Sequence, residues 1–174
     1  MSKPELTTPE RMMALITKNG QLDRVPVHPF VLYYAANIAD ITLKDFFLYP
    51  EKAFDAHLQT MNLFQYDAGP AYDNPGMAYW DFGGDLEFPT EPRMSLPRIP
   101  TRLINKEEDV YNLQVPDILT APGSFRTLEF NRLCAKNGFG PTVKGGSMLE
   151  LMQQLMGVDM LLKWLVKKQK IQRR

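Results

Sequence analysis

The sequence predicts an α/β protein, because helical patterns alternate with short extended segments along its 174 residues. Hydrophobic residues make up 44% of the chain and charged residues 23%, the balance of a folded globular domain and not of a disordered chain. The length predicts a single domain covering residues 1–174. It also falls below about 200 residues, the usual minimum for a closed eight-stranded α/β barrel.

Charge and composition exclude several classes of protein. Lysine and arginine number 20 and are balanced by 20 acidic residues, whereas a nucleic-acid-binding domain normally carries a basic excess. No apolar stretch approaches the ~20 residues of a membrane span. With no leader pattern and a single cysteine, Cys134, we expect a cytoplasmic protein without nucleic-acid or membrane partners. The basic residues of segment 160–174 either contact an anionic partner or stabilise the C-terminal end of a helix.

The N-terminal part predicts one helix followed by one strand. Thr7 or Thr8 can cap a helix from Pro9 to Lys18, in which an apolar stripe is expected to face the core. A short strand is expected from Val25 to His28, and nearby prolines argue against a central antiparallel position. The predicted stripe consists of Met12, Ala14, Leu15 and Ile16.

Two helices and an irregular segment follow. Thr42 is expected to begin a short helix, and the spacing of apolar residues predicts a longer helix from Pro50 to Phe64. A brief strand is predicted over 66–70, and the glycines and prolines of 83–104 predict an irregular excursion with one hairpin. The residues expected to face inward are Leu43, Phe46, Phe47, Ala53, Phe54, His57, Leu58, Met61 and Phe64.

The C-terminal part again alternates helix and strand. Acidic residues near position 107 mark a helix N-terminus, and a further helix is predicted from Ser124 to Lys136. Val143 lies in a short candidate strand. Ser147 and Glu150 form a capping box for a helix through Met156, after which Gly157 separates it from a last apolar helix.

Several side chains are candidates for chemistry, each with a structural alternative. His28 ends the first predicted strand, where α/β proteins bind ligands, although a single histidine also serves as a hydrogen-bonding group. Asp67 and Asp73 lie on either side of Gly69 and Pro70 near the end of the second predicted strand, where a carboxylate can face a substrate or a cationic intermediate. The alternative for Asp73 is a simple turn over residues 73–76.

Aromatic and glycine-rich segments also have two interpretations. Tyr79, Trp80 and Phe82 can form a wall over a flat ligand or fill the core. The segment 145–147 can bind an anion at a helix N-terminus or form a close strand–helix junction. The wide separation of the two histidines and Cys134 excludes the short ligand spacings of a zinc site.

The order of motifs resembles the uroporphyrinogen decarboxylase-like proteins, which include the decarboxylase of tetrapyrrole biosynthesis and the methylcobamide:thiol methyltransferases. The matching segments are 8–15, 22–27, 66–69, 83–88 and 155–159, with 145–147 leading into the last. The resemblance implies a partial (β/α)₈ TIM barrel, the N-terminal half with an irregular hairpin excursion. It also implies that residues 1–174 form a truncated barrel domain, inactive alone and able to self-associate through unpaired barrel edges.

The resemblance implies site residues and a choice between two activities. Asp73 lies one residue from the position of the decarboxylase's catalytic aspartate, and the implied substrate-binding residues are His28, Tyr33, Tyr34 and Trp80. Decarboxylases carry an arginine-rich segment after the first strand, which binds substrate carboxylates. The corresponding segment here, 30–37, contains no arginine, which favours the methyltransferases.

The implied intact protein is a corrinoid-dependent methyltransferase acting on a small molecule or a corrinoid protein. The alternatives are a uroporphyrinogen decarboxylase of haem biosynthesis and a non-catalytic half-barrel that binds a partner. In the methyltransferases, a His-x-Cys pair and a later cysteine of the second half hold zinc. Because those residues are missing here, we expect no cofactor in this chain, and zinc and corrinoid only in an intact relative.

Overall fold

The computed structural model describes residues 5–18, 20–90, 96–141 and 146–169. These residues form nine helices, and none of the helices is both long enough and apolar enough to cross a membrane. The helices are α1 (Thr8–Thr17), α2 (Tyr34–Ile38), α3 (Leu43–Leu48), α4 (Pro50–Phe64), α5 (Met77–Asp81), α6 (Glu107–Asn112), α7 (Pro122–Lys136), α8 (Met148–Met156) and α9 (Val158–Gln169).

The predicted strands do not form a sheet in the described part of the chain, so the α/β class is not confirmed. The segments predicted as strands, 25–28 and 66–70, share one backbone hydrogen bond, in which the Asp67 N–H donates to the Val27 carbonyl at 2.6 Å. One antiparallel bridge, between Glu87 and Arg98, stands where a hairpin was predicted. A strand needs a continuous ladder, and one backbone contact does not provide it. The strand predicted at Val143 lies outside the described residues, as do residues 91–95 of the excursion.

The main core forms around α4, whose predicted bounds, Pro50 and Phe64, are confirmed. The side chains of Phe46 and Phe47 from α3 are fully buried against it, together with Phe54 of α4 and Phe130 of α7. Tyr72 stacks on Phe130 with ring centroids 5.0 Å apart, which joins the segment after the second predicted strand to this core. Phe64 was expected to face inward but is 54% exposed, because the helix extends beyond the core at its C-terminal end.

A second, smaller core lies between α8, α9 and the segment 103–104. Ile104, Leu155, Met156 and Leu161 are buried there. The N-cap of α8 predicted at Ser147 is confirmed, because the Ser147 hydroxyl accepts a hydrogen bond from the Glu150 N–H at 3.0 Å. The N–H groups of residues 103 and 104 both donate to the Leu155 carbonyl, so the end of α8 holds the excursion in place.

The packing of helix α1 differs from the prediction that its apolar stripe faces the core. Leu15 is 47% exposed and Ile16 70% exposed, whereas Arg11 is only 1% exposed. The predicted N-terminus is confirmed, since both the backbone N–H and the hydroxyl of Thr7 donate to the Glu10 carboxylate. The predicted apolar stripe is only partly buried, with Met12 and Ala14 half-buried, and Arg11, one turn before Leu15 on the same side of the helix, makes the tertiary contacts.

Asp81, at the end of α5, caps α7 from outside that helix. Its carboxylate accepts hydrogen bonds from the Gly123 N–H at 2.7 Å and from the Ser124 hydroxyl at 2.6 Å. A carboxylate stabilises the free N–H groups and the positive end of the helix dipole at this position. A Cβ at Gly123 would stand 2.3 Å from Cγ of Met77, so only glycine permits this close contact.

The buried histidine of the main core makes the stability of the protein depend on pH. His57 packs against Phe46 and Phe130, and burial lowers its pKa to about 4 despite a hydrogen bond to the Ala71 backbone. Below pH 6.5 the unfolded state therefore binds a proton that the folded state binds only near pH 4. We expect His57 to contribute about 2 kcal/mol to the loss of unfolding free energy between pH 7.5 and pH 4.5.

Urea denaturation of His57→Gln at both pH values measures this contribution. The variant should lose less unfolding free energy on acidification than the wild type, because its side chain does not titrate. The control is His28→Gln, the same substitution at an exposed position, which should retain the wild-type pH dependence. Equal pH dependence of His57→Gln and the wild type would contradict the expectation.

Candidate functional site

A cavity of about 210 Å³ lies between segment 72–74, helices α5 and α7, and the N-terminal end of α8. Asp73 and Glu150 supply carboxylates to its lining, and Ser147 and Gln154 supply neutral polar groups. Among the described residues, no lysine, arginine or histidine lines it. The described part of the lining therefore carries acidic and neutral polar side chains.

Asn74, also in the lining, carries an unusual buried amide. The residue is 4% exposed, and neither its side-chain oxygen nor its side-chain nitrogen has a hydrogen-bond partner within the described part of the chain. Its backbone carbonyl accepts from the Met77 N–H at 3.0 Å and so begins α5. Leaving such buried groups unpaired costs about 1–3 kcal/mol each, so this side chain is not explained by folding alone.

The structure brings two of the predicted site residues together. The Tyr33 hydroxyl donates to Oδ2 of Asp73 at 3.4 Å. Burial, together with the negative charge of Asp73, raises the pKa of Tyr33, so the phenol remains a protonated donor. The Tyr33 ring lies 5.0 Å from the ring of Phe47, measured between centroids, which holds the hydroxyl relative to the main core.

The other predicted substrate-binding residues do not join this pair in a single site. His28 is exposed, and Tyr34 is 55% exposed on α2. Trp80 faces α7, where the Arg126 guanidinium lies 4.6 Å from the centre of its ring. The cavity lining includes Asp73 but none of these three residues.

The three aromatic rings of the predicted wall have separate surroundings. Tyr79 is 1% exposed, and its hydroxyl lies 2.8 Å from the Thr101 hydroxyl. Phe82 packs against the second core, and Trp80 contacts Phe88 with ring centroids 5.2 Å apart. These contacts agree with the second interpretation of the sequence, in which the three rings fill the core.

Asp67 has a structural role that the sequence interpretation missed. Its Oδ1 accepts from Nη1 of Arg11 at 2.5 Å, and its Oδ2 accepts from Nη1 of Arg24 at 2.5 Å and from the Val27 N–H at 2.9 Å. Burial alone would raise the pKa of Asp67, but these hydrogen bonds hold it below its usual range. The expectation that Asp67 faces a substrate is not supported, because its carboxylate is occupied by these partners.

Arg11 extends this arrangement to a second carboxylate. Its Nε and Nη2 donate to the two oxygens of Asp23, at 2.7 and 2.6 Å, and Nη2 also donates to the Leu6 carbonyl. The side chain of Asp67 has no exposed surface, and that of Arg11 is 2% exposed. We call Arg11, Asp23, Arg24 and Asp67 the ion-pair cluster.

The described residues do not offer a zinc site. No three His, Cys, Asp or Glu side chains among them are grouped so that they could hold a metal ion. Cys134 is fully buried in the main core, and burial raises its pKa to about 11, so it remains a thiol. Zinc needs deprotonated thiolates or neutral imidazoles, and no chemical step assigned to this part of the chain involves that metal.

Comparison with known proteins identifies the family. The family model described as uroporphyrinogen decarboxylase matches residues 7–173, nearly the whole chain. The chain belongs to the uroporphyrinogen decarboxylase family. No curated protein and no solved structure matches it. The resemblance read from the motif order is therefore confirmed at the level of the family.

Sequence reasoning missed some residues of the cavity, although the sequence carried partial signals for them. Asn74 was read only as part of a turn, since Asp, Asn, Pro and Gly all favour turns. The capping box at Ser147 correctly located the N-terminus of α8, but nothing local indicated that segment 72–74 lies opposite it. Gly145, which was expected to offer an amide to an anion, lies outside the described residues.

The ion-pair cluster should be a large contributor to stability. Asp67→Asn leaves Arg11 buried with one anionic partner and removes the only carboxylate that contacts both arginines in the described structure. Removing one partner of a buried ion pair is strongly destabilising. We expect the midpoint of thermal unfolding to fall by roughly 10 °C, measured by circular dichroism.

Asp85→Asn is the matched control, because it makes the same substitution at an exposed aspartate. Its midpoint should lie within about 2 °C of the wild type, as expected for a surface change. If Asp67→Asn unfolds at the same temperature as this control, the cluster is not a main source of stability.

Proposed function

We propose that this chain forms the N-terminal part of a corrinoid-dependent methyltransferase of the uroporphyrinogen decarboxylase family, with a thiol as methyl acceptor. The observation that carries this proposal is that segment 30–37, which stands where the decarboxylases carry arginines that bind substrate carboxylates, contains no arginine. Uroporphyrinogen bears eight carboxylates, and such a substrate needs cationic partners. A corrinoid presents neutral amides at its periphery, which an acidic and polar cavity can accept.

The positions of the arginines support the same choice. Arg11 and Arg24 bind Asp67, and Arg102 binds Asp159 at 2.7 Å. Arg126 donates to the Leu48 carbonyl at 2.9 Å and stacks on Trp80. These four guanidinium groups have structural partners, so they are not arranged to receive substrate carboxylates.

Asp73 and Tyr33 have complementary tasks in the proposed reaction. A bound methylcobamide supplies the methyl group. The Asp73 carboxylate accepts a hydrogen bond from a donor group of the substrate, and Asp73 is the proposed catalytic residue. Tyr33 donates to Oδ2 of Asp73 and so orients the carboxylate. The exposed residues His28 and Tyr34 would contact substrate only outside this cavity.

The proposed (β/α)₈ barrel would also cover apolar surface that is open in the described structure. Val25 is 78% exposed, Val27 51% and Phe30 85%, all within the segment 25–31 that follows α1. In a barrel this segment would be the first strand, with neighbours on both edges. Further strands, supplied by the remainder of a barrel or by a second copy, would cover these side chains.

Self-association is the expected result for the isolated chain. Exposed strand-like segments with apolar side chains pair with other chains. Size-exclusion chromatography with light scattering should show a mass that rises with protein concentration. Phe30→Glu should shift the protein towards the monomer, and Tyr111→Glu, at a similarly exposed residue of α6, should not. A monomer at every concentration would argue against the proposed barrel edge.

Ligand binding by the chain distinguishes the two activities. Methylcobalamin, titrated into the protein and followed by its absorbance and by calorimetry, should bind. Uroporphyrin, which keeps the eight carboxylates, should not. Asp73→Asn should weaken methylcobalamin binding roughly fivefold, because it removes the charged acceptor.

The control for this titration is Asp85→Asn, which should bind methylcobalamin like the wild type. Since no three His, Cys, Asp or Glu side chains of the described residues could hold zinc together, we expect no methyl transfer to a thiol above the rate of the uncatalysed reaction. Binding of uroporphyrin, or decarboxylation of uroporphyrinogen that requires Asp73, would overturn the methyltransferase proposal in favour of the decarboxylase.

A further inference from the structure

Helix α9 carries a row of exposed apolar side chains beside the face that packs on the second core. Leu161 is buried in that core, whereas Val158 is 49% exposed, Leu162 56% and Val166 64%. These three residues are spaced four apart, so their side chains lie one above the other along one face of the helix. We call Val158, Leu162 and Val166 the α9 stripe. A contiguous exposed apolar surface of this kind marks a contact site.

Two lysines lie next to the α9 stripe on the same helix. Lys163 and Lys167 are one turn apart and exposed, and no ion pair holds either of them within the described part of the chain. Asp159 is the one acidic residue of α9, and Arg102 binds it at 2.7 Å. The surface around the α9 stripe is therefore cationic.

The charge of the whole chain is divided between this end and the rest. Residues 160–174 contain six of the 20 basic residues and no acidic residue. All 20 acidic residues therefore precede position 160, together with the other 14 basic residues. A negatively charged surface attracts α9 and repels the acidic remainder, so it meets the molecule with α9 foremost.

The apolar surface extends from the α9 stripe into a neighbouring cavity. Leu165 is 44% exposed and also lines a cavity of about 560 Å³ between α6, α8 and α9. Glu107 is the one charged side chain among the described lining residues of that cavity, and most of the others are aliphatic or aromatic. Apolar area of this extent favours contact with hydrocarbon over contact with a nucleic acid, which is bound through its phosphates and base edges.

We propose that α9 docks the protein on an anionic lipid surface. The α9 stripe enters the boundary between headgroups and acyl chains, and Lys163 and Lys167 contact the anionic headgroups. Interfacial helices combine an apolar face with flanking cations in this way, and the two contributions add. Of the two interpretations of segment 160–174, this proposal selects contact with an anionic partner and replaces the expectation of no membrane partner. It is independent of the proposed methyltransferase activity.

The first experiment measures binding of the wild-type chain to vesicles by co-flotation, in which protein that has only self-associated stays at the bottom of the gradient. Vesicles of phosphatidylcholine and phosphatidylserine in equal parts should carry the protein upwards, and vesicles of phosphatidylcholine alone should bind it roughly thirtyfold more weakly. Raising the salt concentration from about 0.1 M to about 0.5 M should weaken binding to the anionic vesicles several-fold, because salt screens the headgroup charge.

Two variants separate the apolar from the electrostatic contribution. Leu162→Gln should weaken binding to the anionic vesicles roughly tenfold, because it removes an aliphatic side chain from the α9 stripe. Its control is Leu63→Gln, the same substitution at a residue of α4 that is 61% exposed. The double variant Lys163→Gln with Lys167→Gln should weaken binding roughly thirtyfold.

The control for the double variant is Lys44→Gln with Lys136→Gln, which removes two exposed lysines from other helices. Both control variants should bind the anionic vesicles like the wild type. All four variants alter exposed side chains, and circular dichroism should show a wild-type spectrum for each before binding is compared.

Three outcomes would overturn the docking surface. The first is equal binding of the wild type to neutral and anionic vesicles, or no binding to either. The second is binding by Leu162→Gln or by the double variant that equals binding by its control. The third is tighter binding of the wild type to duplex DNA than to anionic vesicles, with the affinity for DNA unchanged in Leu162→Gln, which would assign α9 to a nucleic acid instead.

Discussion

The buried carboxylate of Asp67 is the constraint on which the N-terminal part of the structure depends. It binds Arg11 from α1 and Arg24 from the chain that follows α1, and it accepts the Val27 N–H. A charge removed from water is tolerated only when its hydrogen bonds are satisfied. These partners come from 40 or more residues earlier in the sequence, so the charge of Asp67 can be satisfied only when α1, segment 23–27 and segment 66–67 meet.

This constraint also places the candidate site. Segment 23–31 leads directly into Tyr33 and α2, and segment 66–72 leads directly into Asp73. Fixing the two segments at Val27 and Asp67 therefore brings their following residues to the same side of the main core, where the Tyr33 hydroxyl reaches Asp73. Tyr72 secures the second segment by stacking on Phe130 and by donating to the Phe47 carbonyl at 2.5 Å.

Sequence reasoning succeeded where the determining signal is local. Pro50 at the start of α4 and Ser147 before α8 act within one helical turn, and both helix starts were predicted correctly. It failed where the determining partner is distant. No residue next to Arg11 in the sequence indicates that Arg11 forms an ion pair with Asp67. The sequence therefore predicted that an apolar stripe of α1 faces the core and that Asp67 faces a substrate. For the same reason, Asn74 was read as a turn residue although the N-terminus of α8 lies across its cavity.

The use of arginine in this chain links its stability to its chemistry. An arginine that satisfies a buried carboxylate or caps a carbonyl is fixed by that partner and is not free to bind a substrate anion. Arg11 and Arg24 form ion pairs with Asp67, and Arg126 donates a hydrogen bond to the Leu48 carbonyl. As far as the structure describes it, the cavity beside Asp73 is lined by carboxylates, amides and hydroxyls and by none of these three arginines. In this member of the uroporphyrinogen decarboxylase family, these three arginines therefore stabilise the fold.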